Sequence, residues 1–402
     1  MTSLVLALLL FSTASASVLG LLILLLGLQR VFGTAPELRQ ANDPAPETSL
    51  TVVIPAYNEA DNIQRCLSSV LASEPPAADW QVLVVDDESS DATSSVARAT
   101  AAASDCPERF NLLSAGPRPT AERWVGKNWA CSRAMAQVNS AWVLFLDADV
   151  KLAPTAMRRA LNQAIEDRAD LFSLAPRMVC GCLAEWMVQP IMACLLGLGF
   201  PIKEANDPNS PVAFAAGPFM LFRLEAYKAI GGHHALAGEV VEDLALARRI
   251  KQNGLRLRYL LGLDAVDLQM YSDLASLWEG WSKNWFLGLD RNIPKALSAG
   301  AVVLLLFSGP WLLLPGSAVL GLLLNSQGQW FLASGLLALI GICLQLALRL
   351  WTHSRFAVPL DHWWLMGAGG LLVAAIAPNS VYRSLSGRGW TWKGRSLAES
   401  TD

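Results

Sequence analysis

The chain has 402 residues, of which 53% are hydrophobic and only 16% charged, with a formal net charge of −3. A mean hydropathy of +0.35 excludes a wholly water-soluble protein, and near-neutrality without a basic, aromatic-interleaved stripe argues against a nucleic-acid partner. The seven cysteines are scattered, with neither CxxC spacing nor nearby histidines, so they read as reduced, packed thiols.

Residues 4–28 carry no charge and 19–28 are almost purely aliphatic. As a helix, about 25 residues reach roughly 38 Å, enough for a ~30 Å hydrocarbon core, so 1–30 is predicted as a transmembrane helix. A cleaved signal peptide is the rival reading, but no cationic segment precedes the apolar run, and leucines continue past any cleavage site. Arg30 is the first cation and weakly places the segment after it in the cytoplasm. Residues 31–49, with three prolines, read as a linker. From residue 50, short apolar runs at 50–55, 82–85, 110–113, 142–146 and 171–174 alternate with helical patterns near 59–73, 91–103, 127–139 and 154–168. This alternation predicts right-handed βαβ crossovers and an α/β fold with a doubly wound, mainly parallel sheet.

Ligands collect at the carboxyl ends of strands in such sheets, and three of these ends are polar. The first reads Pro55-Ala56-Tyr57-Asn58-Glu59, and the second Asp86-Asp87-Glu88-Ser89-Ser90-Asp91, where Asp91 suits a helix N-cap. The fourth ends Asp147-Ala148-Asp149. Residues i and i+2 of an extended chain point the same way, so both carboxylates can face one hard divalent cation that also holds phosphate oxygens. An acidic turn that merely ends a strand is the alternative. Gly126-Lys127 at a helix start could present backbone N–H groups and a cation to a phosphate, although the spacing is not that of a P-loop.

Residues 178–202 suit an interfacial helix, and 212–222 resemble a strand containing Gly217-Pro218. Glu242 and Asp243 open the next helix; they are either ordinary N-terminal acids or a general base at a pocket mouth. The Trp-rich segment 273–290, with Lys283, has the composition of a second interfacial helix. A catalytic domain is thus expected over 50–297 and a membrane domain over 298–383, with apolar runs at 299–324, 331–348 and 364–382, then a basic tail, 384–402. Three full spans after a cytoplasmic domain would leave that tail outside, against the positive-inside tendency. Gly309-Pro310 and Pro315-Gly316 therefore suggest a re-entrant hairpin at 299–324.

Taken in order, Val53-Ile-Pro55-Ala-Tyr57-Asn58-Glu59, Val84-Val-Asp86-Asp87, Leu146-Asp147-Ala-Asp149 and Val241-Glu242-Asp243-Leu244 resemble the signature of family 2 glycosyltransferases, over residues 50 to about 290. Gly126-Lys127-Asn-Trp-Ala, Lys283-Asn-Trp-Phe and Trp392-Lys-Gly-Arg395 further resemble the membrane-bound, lipid-glycosylating branch, which includes bacterial carotenoid and hopanoid-associated enzymes. The resemblance implies a GT-A (nucleotide-diphospho-sugar transferase) fold flanked by transmembrane helices. It implies that Tyr57 stacks on uracil, that Asp87 accepts from its ring N–H, and that Asp147 and Asp149 hold the ribose and a Mn²⁺ or Mg²⁺ on the diphosphate. Pro55, Glu59 and Lys127 belong to the same nucleotide-facing motifs, Lys283 reaches the diphosphate, and Asp243, beside Glu242, is the catalytic base. The implied partners are a nucleotide-sugar donor and a lipid acceptor in a bacterial plasma or thylakoid-type membrane. Polyprenyl-phosphate, glycerolipid or ceramide sugar transfer is the alternative within the class, and a non-catalytic membrane protein built on a degenerate domain the alternative outside it. Two departures stand out: Glu88 replaces the glycine common after the Asp pair, and the Gln-x-x-Arg-Trp motif of processive enzymes survives only as Trp281-Ser-Lys283-Asn-Trp285.

Overall fold

The computed structural model describes residues 2–324, 327–386, 390–393 and 395–397. Two compact units emerge: an apolar helical unit of the residues up to Gly33, Cys180–Gly199 and those from Tyr271 onward, and a sheet unit of Thr34–Val179 and Phe200–Met270. The expected block 50–297 is therefore divided, because its two most apolar helices pack with the long apolar helices instead of the sheet. The N-terminal helix α1 spans Thr2–Gly33, three residues beyond the expected end.

In the sheet unit the chain runs through β1 (Ser49–Ala56), α2 (Ile63–Leu71), β2 (Asp79–Asp86), α3 (Thr93–Ala102), β3 (Phe110–Ser114), α4 (Gly126–Ala134) and β4 (Trp142–Leu146). It continues through β5 (Val150–Leu152), α5 (Ala156–Glu166), β6 (Leu171–Ala175) and β7 (Arg177–Met178), leaves for α6 (Leu183–Gly199), and returns at α7 (Ile202–Asn206). The unit closes with β8 (Phe219–Arg223), α8 (Leu224–Ala229), α9 (Glu242–Gln252), β9 (Leu257–Leu261) and β10 (Val266–Leu268). Seven strands form one sheet in the order β3-β2-β1-β4-β8-β6-β9, parallel except for β8, which runs antiparallel to both neighbours. The alternation of side chains along β1 explains the double winding: Leu50, Val52 and Ile54 enter a core with α2, α3 and α5, while Val53 enters one with α4, α8 and α9. The expected fold class is thus the one observed. Composition did not signal the small sheet β5-β10-β7, whose strands are two or three residues long.

Three local expectations need correction. Residues 34–49 are not a free linker: Leu261 N donates to Pro36 O (2.9 Å) and Leu38 N to Leu261 O (2.8 Å), so the chain lies along β9. The segment 212–222 is a strand only from Phe219; its first half is an irregular loop around Gly217-Pro218. Asp91 accepts from Thr93 N (2.9 Å) and Ala60 N (3.1 Å) one residue ahead of the N-cap position, which Ala92 occupies.

Within the apolar unit, α1 runs parallel to the helix Gly328–Phe356: Phe11 meets Trp330 at 5.2 Å and Phe32 meets Phe356 at 4.9 Å. By length and composition, four helices among the described residues are apolar enough to cross a membrane: Ser3–Gly33, Ile293–Leu323, Gly328–Phe356 and Trp363–Leu385. The expected hairpin at 299–324 is absent, since Ile293–Leu323 is one continuous 31-residue helix. Its tolerance of Pro310 has a local cause. Leu304–Ser308 form a π-turn just before the proline, and Gln345 Nε2 donates to Leu306 O (2.8 Å) and Phe307 O (2.9 Å), which covers the carbonyl that Pro310 cannot serve.

The chain does turn back, but later. Gly367 lies against Trp311, Gly370 against Ser308, and Gly300 against Ala377. The last helix, Met366–Leu385, therefore starts beside the middle of Ile293–Leu323 and descends beside its first half. Ile293–Leu323 is itself antiparallel to α1, with Leu313 near Ala14 and Leu306 against Gly20. The last helix accordingly ends at the same end of the bundle as Gly33. Residues 357–365 lead the chain back into the helical bundle, with Trp363 reaching 6.0 Å from Trp311. α6 packs on the last helix, and α10 (Leu274–Gly288) is tied to it by Phe286 N donating to Ser380 Oγ (3.0 Å). Of the basic tail, 387–389, 394 and 398–402 lie outside the described residues.

Candidate active site

The carboxyl ends of β1 and β2 are stitched into one rim. Asn58 N donates to Ser89 Oγ (3.0 Å), Ser90 N to Asn58 Oδ1 (2.9 Å), Glu59 N to Thr93 Oγ1 (2.8 Å) and Asp87 N to Ala56 O (2.9 Å). Pro55 is paired within β1 and Tyr57 is partly buried just beyond it. Glu59 begins the turn into α2, its Oε2 accepting from Asn62 Nδ2 (3.0 Å). The two adjacent acids have separate tasks. Asp86 shapes the loop by accepting from Ser89 N (3.0 Å) and Ser94 Oγ (2.5 Å). Asp87 is 2% exposed and accepts from Arg118 Nη2 at 2.6 Å. Glu88 has φ +61°, a left-handed conformation that suits glycine, which is a physical reason for the glycine common at this place.

Gly126 closes the space beside that pair: a Cβ there would stand 2.5 Å from Asp87 Oδ2 and 2.6 Å from Arg118 Nη2. The start of α4 is then joined to the loop before α9. Val125 N donates to Ala237 O (2.7 Å), and the buried Asn128 Nδ2 donates to Leu236 O (2.6 Å) and Glu239 O (2.8 Å). These bonds hold Lys127 opposite Glu242. Lys127 Nζ lies 2.6 Å from Asp147 Oδ1 and 2.6 Å from Glu242 Oε1, with side-chain exposures of 28%, 27% and 10% respectively. One ammonium thus joins the end of β4 to the start of α9.

Burial opposes charge throughout this cluster, and the neighbours decide the outcome. Burial lowers the Lys127 pKa, but Asp147 and Glu242 outweigh it and hold it well above its ordinary value. For Glu242 burial acts upward and the Lys127 ammonium wins, keeping the carboxyl below its usual range. For Asp147 burial wins and the pKa is raised despite Lys127. Burial, then the charge of Glu242, pushes Asp243 up to about 6. Asp243 Oδ2 accepts from Gly217 N (3.1 Å), an approach open because Gly217 has no side chain: a Cβ would lie 3.0 Å from that oxygen. His233 lies fully buried behind the cluster, its Nδ1 2.7 Å from Tyr227 Oη; burial pushes its pKa down to about 3, so it is neutral.

Asp147 N donates to Pro218 O (3.3 Å), and Asp149 O accepts from Arg65 Nη2 (2.9 Å), so the turn carrying both carboxylates is fixed from two sides. Among the described residues no three His, Cys, Asp or Glu side chains are grouped to hold a metal by themselves. Two carboxylates completed by phosphate oxygens and water are a coordination set that Mg²⁺ accepts. Asp147, Lys127, Glu242 and Asp243 come together as one cluster, and Asp87 adjoins it through Gly126. Lys283 belongs to α10 in the apolar unit. Arg118 and His233 carried no sequence signal: Arg118 lies between two prolines in a loop, and His233 in a Gly-Gly-His-His turn reads as a surface feature.

Residues 51–231 match the family model for glycosyl transferase family 2. The 4,4'-diaponeurosporenoate glycosyltransferase of Staphylococcus aureus (strain USA300) is 29% identical over 262 residues, 64% of this chain and 66% of that protein. The chain thus spans 66% of the length of the curated relatives it matches. Among solved structures, the mannosyltransferase PcManGT from Pyrobaculum calidifontis, in complex with GDP-Man and Mn²⁺, aligns over 91% of this chain and 98% of its own, with 19% identity and a TM-score of 0.48. The S. aureus TarS 1-349 complex with UDP-GlcNAc aligns over 80% and 90%, with 17% identity and a TM-score of 0.40.

Proposed function

We propose that the chain, whose residues 51–231 match the family model for glycosyl transferase family 2, moves a single sugar from a nucleotide-diphospho-sugar, a UDP-sugar by its motifs, to an apolar membrane lipid such as a carotenoid or hopanoid. The observation that carries the reading is the Lys127 bridge: it gathers the Asp147–Asp149 turn and the Glu242–Asp243 helix start at one place, 2.6 Å from each partner.

The division of labour follows from the electrostatics. Asp87, charged and held by Arg118, accepts the N–H of the nucleobase, and Tyr57 stacks on its ring. Asp149 and Asp147 would hold a Mn²⁺ or Mg²⁺, which would neutralise the charge growing on the leaving diphosphate. Lys127 holds the cluster paired before the donor enters and then supplies a positive charge to the same phosphates. Asp243, with a pKa of about 6, is charged near neutrality yet still basic enough to take the acceptor hydroxyl's proton. Attack from the face opposite the diphosphate inverts the anomeric centre.

The acceptor class is supported by the name of the S. aureus relative, a carotenoid-modifying glycosyltransferase, and by the apolar helices that accompany the sheet unit. The catalytic unit faces the cytoplasm of a bacterial cell, with α6 and the Trp-rich α10 as interfacial elements. The deciding experiment measures sugar transfer by membranes to extracted lipid, for wild type and Asp243→Asn. A loss of about 10²–10⁴-fold is expected, together with a wild-type rate that climbs as pH rises through about 6, because protonated Asp243 cannot act as a base. Undiminished transfer by the variant would remove Asp243 from this role.

A further inference from the structure

The apolar unit buries a cation that no carboxylate contacts among the described residues. Arg349 lies on the helix Gly328–Phe356 and is 1% exposed, among the largest fully buried side chains of the protein. Its Nη2 donates to Asp361 O at 3.0 Å. Its Nε and Nη1 are buried and have no hydrogen-bond partner among the described residues, which leaves one N–H on Nε and two on Nη1 without an acceptor. Asp361 gives it a backbone carbonyl in hydrogen bonding, and the Asp361 carboxylate acts on it only through space, without an ion-pair contact among the described residues. A guanidinium so placed in an apolar bundle is strongly unfavourable unless something negative completes it.

Two aromatic side chains are grouped with this guanidinium. The guanidinium carbon of Arg349 sits 5.3 Å from the centroid of the Trp186 ring, and the His362 ring stacks on Trp186 at 5.3 Å and 29°. The Nδ1 of His362 is likewise buried with no partner among the described residues. Both Asp361 and His362 belong to the segment 357–365, where Ala357 (φ +53°) and His362 (φ +58°) hold left-handed backbone. Non-helical backbone within an apolar bundle is tolerated where protein buries it or where it lines a binding cavity. Arg349 stands seven residues before Phe356, about 10 Å along the helix, at the end of the bundle that Phe356 shares with Phe32. That depth suits a lipid headgroup whose chain lies among the helices.

We infer that Arg349, with His362 and Trp186, binds the oxyanion of a lipid, a carboxylate or a phosphate, inside the apolar unit. This holds whether or not the chain transfers sugar. Two sources share the chemistry: a free-acid lipid, and an anionic phospholipid of the bilayer. The test uses the full chain in detergent, titrated with oleate, oleyl alcohol, and micelle-dispersed phosphatidylglycerol or phosphatidylcholine, and reads tryptophan fluorescence and thermal unfolding. Saturable binding of oleate, of phosphatidylglycerol, or of both is expected, with oleyl alcohol and phosphatidylcholine at least tenfold weaker; which anion binds names the source. Arg349→Gln should weaken the anion at least tenfold and Arg349→Lys less, because lysine keeps the charge without the planar fork. Binding of oleyl alcohol equal to that of oleate, binding of neither anion, or an unchanged midpoint in Arg349→Gln would each overturn the proposal. Should Arg349→Gln not fold, the wild-type comparison of acid with alcohol and the His362→Gln midpoint decide on the same terms.

Discussion

In the sheet unit, Lys127 is partly buried between Asp147 and Glu242 at 2.6 Å from each, while in the apolar unit Arg349 is buried with a single backbone carbonyl at 3.0 Å. The first cation has its counter-charges built into the chain. Its surroundings can therefore be preorganised, with Asp243 tuned by a neighbour that stays charged. The second has no carboxylate in contact with it among the described residues. A charge compensated by contacting carboxylates arranges a site, whereas a buried one without such a contact favours a ligand that completes it.

Four measurements would break or sharpen this contrast. The largest is all-or-none: if the apolar unit turns back at 357–365, exposed positions before the sheet and after the last helix face the same side. Asp43→Cys and Ser386→Cys, probed with a membrane-impermeant maleimide in intact cells and in inverted vesicles, should label together; labelling from opposite sides would sink the turn back at 357–365. Second, Lys127→Met leaves Asp147 and Glu242 facing each other without their ammonium. About 3 kcal/mol of stability should be lost at neutral pH, read by denaturant unfolding, and the acidic limb of the rate profile should move to higher pH as Asp243 loses the nearby ammonium that favours its charged form. A limb that stays in place would mean the bridge does not tune the cluster. Third, Gln345→Leu uncovers Leu306 O and Phe307 O beside the π-turn. A loss of about 1–3 kcal/mol is expected, and Pro310→Ala should partly rescue it by restoring an N–H. Smallest, Glu88→Gly relieves a left-handed residue at the rim and should stabilise the fold by roughly 1 kcal/mol or less; a clear destabilisation would show that the Glu88 side chain matters more than its backbone.

The parts of the fold legible in the sequence are those governed by periodicity. The buried run of β4, the helix starts at Lys127 and Glu242, and the paired acids at strand ends all express local patterns of apolar and polar residues. The pairing of Lys127 with Glu242, 115 positions apart, rests on Asn128 reaching three backbone carbonyls of another loop, and no local pattern encodes that. Arg118 is silent for the same reason: its partner Asp87 is fixed by the sheet and by the space over Gly126. In the membrane region the sequence displays the apolarity but not the turn. Glycine and proline mark where a helix can break, while the decision lies with side chains elsewhere: Gln345 repairs Pro310, whereas 357–365 breaks without a proline-glycine pair to announce it. Residues 31–49 look like a linker because composition reports flexibility and is blind to a free strand edge nearby.

That edge has a further meaning. β3 and β9 are the outermost strands of the seven-stranded sheet, and an uncovered edge is a template for pairing with another chain. At β9 the cover comes from 36–39: Glu37 bridges Leu261, and Arg159, 6% exposed, donates to Arg39 O (2.7 Å) and Leu38 O (3.2 Å). The stretch that ties α1 to the sheet is therefore also its sheath, so the chain cannot be cut free of its anchor at the start of β1 without baring a strand that invites self-association.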